Sequence, residues 1–141
     1  MRKLLLITLP LLLIVGCSKK SINYETTLIK RDGLYTNWYE NGQKRDELTY
    51  KDGKFDGLYT NWYENGQKRF ELTYKDGIHN GLLTWWYDNG QKESEGIYND
   101  NKLEGFSTHW YDNGQKWYEL TIKDGELISE KYWNEDGSVK E

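Results

Sequence analysis

From Gly33 onward, apolar and polar residues alternate in short runs. Leu34, Thr36 and Trp38 fall on one side of an extended segment, and Tyr35, Asn37 and Tyr39 fall on the other. That period of two is the pattern of a half-buried strand. Asn41-Gly42 follows, then a second alternating run through Leu48 and Tyr50, then Asp52-Gly53. Asn-Gly recurs at Asn65-Gly66, Asn89-Gly90 and Asn113-Gly114, with Asp136-Gly137 in a last, worn copy. Asn-Gly between alternating runs predicts a two-residue type I′ hairpin turn, with positive φ at both central residues. Asp52-Gly53, Asp76-Gly77, Asp100-Asn101 and Asp124-Gly125 predict the return turns. The whole unit repeats every 24 residues, from Gly33, Gly57, Gly81 and Gly105. A fixed period in this range predicts stacked supersecondary units. The expected architecture is all-β: an elongated, single-layer array of antiparallel hairpins in four full copies plus a truncated cap.

A two-residue turn at Asn41-Gly42 sets Trp38 opposite Arg45, Thr36 opposite Glu47 and Leu34 opposite Thr49. One face then carries Leu34, Leu58, Leu82 and Phe106 with Trp38, Trp62, Trp86 and Trp110. We expect that row to be the core, with Gly42, Gly66, Gly90 and Gly114 serving the turns. The other face carries Tyr39, Tyr63, Tyr87 and Tyr111, with Tyr50, Tyr74, Tyr98 and Ile122. Tyrosine enriches interfaces, so this second face is the candidate binding surface. Positions on it that differ between copies are Asn37, Asn61, Trp85 and His109, facing Asp46, Phe70, Ser94 and Tyr118. Trp85, Phe70, His109 and Tyr118 are the candidate hot spot, because they depart from the repeat toward ring side chains. The fifth copy is one residue short and has Ser129 where Gly105 stands. It ends in charged residues, as a cap with a blunted edge strand would.

The start of the chain has a different composition. Arg2 and Lys3 precede a nearly unbroken apolar run from Leu4 to Val15, far short of the ~20 residues that span a bilayer as a helix. It closes with Ile14-Val15-Gly16-Cys17, which resembles the lipobox of bacterial lipoproteins. The resemblance implies a signal peptide over 1–16, lipidation of Cys17, a polar tether over 17–24 and a repeat array over 25–141. It also implies an exported protein held at a membrane, and Ser18 after the Cys favours the outer membrane or cell surface. Several acyl chains on one residue give stable anchoring. Cys17 is the single cysteine, so no disulfide is available. Without Arg2 and Lys3, 17 Lys and Arg stand against 23 Asp and Glu, a poor match to nucleic acid, where cations supply most of the affinity.

Little in the chain suggests catalysis. His79, placed in a return loop, and His109 occupy non-equivalent positions and are expected to be solvent-exposed, so no metal is expected. Glu47, Glu71, Glu95 and Glu119 recur at one position; a repeated ladder fits a structural row better than a single acid–base pair. Asp52-Gly53 with Asp56-Gly57 lacks the alternating carboxylates of a calcium loop. No phosphate loop or nucleophile elbow is present. No cofactor is expected.

The unit G-x-x-x-x-W-Y-[ED]-N-G-Q-K followed by E-x-x-Y-K-D-G resembles the bacterial MORN-repeat variant. That resemblance implies hairpins stacked into one twisted sheet, and a non-catalytic interaction module whose partner is a protein or an envelope component. Many bacterial members carry an antitoxin label, which an export signal contradicts unless the toxin is exported too. A weaker, compositional similarity links the aromatic-rich hairpins to cell-wall-binding repeats, and implies glycan binding as the alternative.

Overall fold

The computed structural model describes residues 32–141. The expected signal peptide, Cys17, the tether and the first residues of the array lie outside the described residues. Among these are nine strands: β1 (Gly33–Trp38), β2 (Lys44–Lys51), β3 (Lys54–Trp62), β4 (Lys68–Lys75), β5 (Ile78–Trp86), β6 (Lys92–Asn99), β7 (Lys102–Trp110), β8 (Lys116–Lys123) and β9 (Glu126–Tyr132). They form one antiparallel sheet in chain order, each strand beside its sequence neighbours. Nine strands ~4.8 Å apart make a sheet roughly 40 Å across.

The Asn-Gly turns depart from the expected type. Gly42 donates to the Tyr39 carbonyl and Tyr39 donates to the Gln43 carbonyl, and of Asn41 and Gly42 only the glycine has positive φ. The loop is therefore a three-residue turn ending in a G1 bulge. The Asn41 side chain holds it by accepting from the Gln43 amide at 2.9 Å, as asparagine does in Asx turns. Consequently Trp38 pairs with Lys44 instead of Arg45, while Leu34, Tyr35, Thr36 and Asn37 keep the expected partners Thr49, Leu48, Glu47 and Asp46. Type I′ geometry belongs to the return turns, where Asp52 and Gly53 have φ of 49° and 73°, and Asp100 and Asn101 have 48° and 65°.

Each return hairpin also contains a bulge. Leu48 pairs with Tyr59 but Tyr50 pairs with Phe55, so β3 carries two extra residues around Gly57. Gly57 has φ of 111°, which explains the glycine opening each unit. In the fifth copy the register slips by only one residue, between Thr121–Ser129 and Ile122–Leu127. The deletion is thus absorbed inside the bulge, where no glycine is then needed. The cap is blunted only at one end. Trp133 bridges Val139 and Lys140 donates to the Tyr132 carbonyl, but all of β9 is exposed.

The expected core is on the wrong face. Leu34, Leu58, Leu82 and Phe106 are 50–68% exposed, and Trp38 is 58% exposed. The buried apolar residues, Leu48 and Leu72, lie on the opposite face, among Tyr35, Tyr50, Phe55, Tyr59 and Tyr74, whose rings run in contact at 4.8–6.4 Å. The physical reason is that the described residues form a single layer: among them nothing covers either face, so the side with bulky residues on consecutive strands packs against itself. The row of Leu with interleaved Thr cannot close over.

The motif WYENGQK looks forward along the array. Tyr39 donates its hydroxyl to the Trp62 carbonyl at 2.7 Å, and Tyr63, Tyr87 and Tyr111 repeat this on Trp86, Trp110 and Trp133. Asn41 donates to the Glu64 carbonyl at 2.8 Å, with Asn65, Asn89 and Asn113 following suit. Lys44 sits 5.5 Å above the Trp62 ring and reaches Glu47 at 2.5 Å; Lys68, Lys92 and Lys116 do the same. The Gln43 side-chain Oε1 lies only 3.1 Å from where a Cβ on Gly66 would stand. Trp62, Trp86, Trp110 and Trp133 are half-buried beneath these lysines, whereas Trp38 is exposed.

Candidate interaction surface

The positions that vary between copies form one line across the whole sheet. Asn37 pairs with Asp46, Asp46 with Asn61, Asn61 with Phe70, Phe70 with Trp85, Trp85 with Ser94, Ser94 with His109, His109 with Tyr118, and Tyr118 with Tyr132. Residues paired across strands share a face. The line begins polar and becomes aromatic.

The polar end is closed on itself. Asn61 donates to Asp46 at 2.7 Å and to the Arg45 carbonyl at 2.9 Å, Tyr59 donates to Asp46 at 3.0 Å, and Arg45 to its other oxygen at 2.7 Å. Burial pushes the Asp46 carboxyl up, but the hydrogen bonds from Arg45, Asn61 and Tyr59 outweigh it and the net shift is downward. Burial, reinforced by Asp46, raises the Tyr59 hydroxyl to about 12. These groups are occupied in holding β2 to β3.

The aromatic end falls into two clusters separated by Ser94. Trp85 packs on Phe70 at 4.7 Å, and Phe70 stands edge-on to Tyr59 at 5.1 Å. His109 stacks on Tyr118 at 4.2 Å, and Tyr118 continues to Tyr132 and to Trp117. Trp85, Phe70, His109 and Tyr118 are all half-buried, leaving ring area open to a partner. Burial lowers the His109 imidazole and raises the Tyr118 hydroxyl. Tyr39, Tyr63, Tyr87 and Tyr111 lie apart, in the Asn-Gly loops, with their hydroxyls committed inside the fold. A partner would meet only their rings.

His79 departs from expectation. It lies on β5, not in a loop, and is 9% exposed. Its ring stacks on Tyr98 at 4.4 Å, and its Nε2 has no hydrogen-bond partner among the described residues. It occupies the place that Phe55 and Leu103 hold in neighbouring copies, so it packs as an apolar residue would. Among the described residues, no group of three or more His, Cys, Asp or Glu is arranged to hold a metal ion. The Glu ladder is paired with lysine throughout.

Trp117 is the residue the pattern of faces missed. It stands where Arg45, Arg69 and Glu93 stand in other copies, at the bulge beside the His109–Tyr118 pair. A bulge re-aims its side chain, and here the indole turns to Tyr111, 5.7 Å away. Tyr87, Tyr111, Asp112, Trp117 and Glu135 line a shallow recess of about 340 Å³. Aligning the copies at that one column would have exposed the anomaly.

A family model described as MORN repeat variant matches residues 31–52, 55–76, 80–100 and 103–124. No curated protein matches the chain. Among solved structures it is similar to the crystal structure of accessory secretory protein 1, 2 and 3 in Streptococcus pneumoniae, at 17% identity and a TM-score of 0.32. The match covers 78% of this chain and 19% of that one.

Proposed function

The chain belongs to the MORN repeat variant family, generally a non-catalytic one, and from that premise we propose that it is an envelope lipoprotein that holds another protein against its aromatic face. The N-terminal 16 residues direct export, Cys17 carries the lipid, and residues 17–24 keep the array near the membrane. The observation that carries the binding assignment is the continuous line of copy-variable positions through Phe70, Trp85, His109 and Tyr118. This row keeps its backbone register while its side chains change, and its aromatic half leaves ring area exposed, as a recognition surface does. The partially open rings supply the large, rigid contact area that interfaces favour.

One observation favours a second surface. Leu34, Leu58, Leu82 and Phe106 form an exposed apolar row on the opposite face, interleaved with threonine, and exposed apolar area can mark contact sites. Affinity capture from envelope extract separates the two. Trp85→Ser is expected to abolish recovery of the partner, with Leu58→Ser leaving it intact. The reverse outcome moves the site to the other face. Loss with neither substitution overturns both. A glycan array with the same proteins tests the wall-binding alternative, and a toxin gene beside this one would support an exported immunity role. Cys17→Ala is expected to abolish lipid labelling and release the protein from membranes; unchanged partitioning refutes the anchor.

A further inference from the structure

The second copy displays, within this chain, what the fourth lacks. There the Arg69 guanidinium lies 5.7 Å from the centre of the Tyr63 ring, a cation–π contact. The equivalent positions of that copy hold Tyr39, Glu64 and Asp88 beside Tyr63, although neither carboxylate lies within 4 Å of Arg69 among the described residues. Two copies later the corresponding groups are Tyr87, Tyr111, Asp112 and Glu135, but Trp117 replaces the arginine. The recess keeps the negative ring faces and both carboxylates, gains an indole wall, and is lined by no cation among the described residues. Neither the Asp112 nor the Glu135 carboxylate has a cation within 4 Å among the described residues. Burial, then the neighbouring Glu93 and Asp112, hold the Tyr87 hydroxyl above its ordinary value, a sign of the same negative field.

We propose that the recess formed by Tyr87, Tyr111, Trp117, Asp112 and Glu135 receives the guanidinium of an arginine side chain from a partner protein. The proposal rests on the protein-binding reading above and supplies that partner's anchor. Guanidinium is favoured over a quaternary ammonium because the two carboxylates can accept its hydrogen bonds, and because a planar cation stacks on indole and phenol together. The recess adjoins the His109–Tyr118 cluster through Trp117, so one partner can occupy both.

The test titrates the full-length chain with capped arginine, capped citrulline and tetramethylammonium, following the Trp117 indole N–H in a nitrogen–proton correlation spectrum. Arginine is expected to shift that resonance at least about tenfold more tightly than neutral citrulline, with the shift weakening as salt rises. Trp117→Arg should seat its own guanidinium as Arg69 does, leave the urea midpoint near wild type, and, in calorimetry, abolish arginine binding. Asp112→Asn should weaken binding without abolishing it. Equal binding of citrulline, or arginine binding undiminished in Trp117→Arg, overturns the proposal. Tighter binding of tetramethylammonium than of arginine overturns the guanidinium assignment. If all arginine signals fail while Trp85→Ser still abolishes partner capture, the recess is refuted and the binding face stands.

Discussion

Single side chains divide here into those that tie copies together and those left over for contact. Tyr63 belongs to the first group, so Tyr63→Phe is expected to cost about 1 kcal/mol by leaving the Trp86 carbonyl without its donor. Urea denaturation measures it, and a neutral result would remove the hydroxyl tie from the account. His79 gives a pH dependence. Burial lowers the imidazoles of His79 and His109 below the ordinary 6.5, so the unfolded chain protonates first as pH falls. Stability is therefore full above about pH 6.5 and declines through the window below it. His79→Leu, with leucine already at Leu103 and Leu127, should flatten that decline in urea midpoints compared between pH 7.5 and 5.5. An equally steep decline in the variant would assign the effect elsewhere. Which residues vary was legible from the repeat alone; that Asn61 and Asp46 are spent on a polar network, and that His79 is inside, was not. Those facts depend on what faces each residue from the adjoining strands, which periodicity does not name.

At the level of the hairpin, alternation fixed the pairing of Leu34, Tyr35, Thr36 and Asn37, since a slip of one would exchange the faces. It did not reveal the turn type. Asn-Gly satisfies both a two-residue I′ turn and a three-residue turn with a G1 bulge, and the choice here goes to the loop whose asparagine also reaches the next copy. Gly66 shows the demand on the last position: its φ is 86°, and a Cβ would meet the Gln43 amide. Gly66→Ala is expected to destabilise by roughly 1–2 kcal/mol, visible as a lower urea midpoint. Gly42→Ala meets the same backbone cost but no neighbour within 4 Å among the described residues, so it should be the milder of the two. Equal losses would mean that the Gln43 contact contributes nothing. The faces themselves were the larger error. Alternation separates two sides without saying which one packs, and a lone sheet offers no second layer to decide the matter.

For the whole molecule, stability is a sum over neighbouring junctions, because no large side chain among the described residues is fully enclosed. Removing residues 57–80 joins Asp56 to Gly81 and restores every contact of the motif. That chain is expected to fold with two strands fewer and a denaturant m-value lower by roughly a fifth. Removing 48–70 instead joins Glu47 to Glu71 and leaves an extra residue inside a strand, away from the bulge that can absorb one, and should fold far less well; circular dichroism and urea titration distinguish them, and equal behaviour would refute strict register. The overall architecture was the most legible feature, since a period needs no knowledge of packing to be seen. The forward-looking loop carries a genetic consequence. Each unit brings the plug for its successor and the socket for its predecessor, so an in-frame duplication or loss of one unit in the DNA yields a chain whose joints already fit. Reach is thus a trait that replication slippage can lengthen or shorten in a single event, without compensating mutations elsewhere.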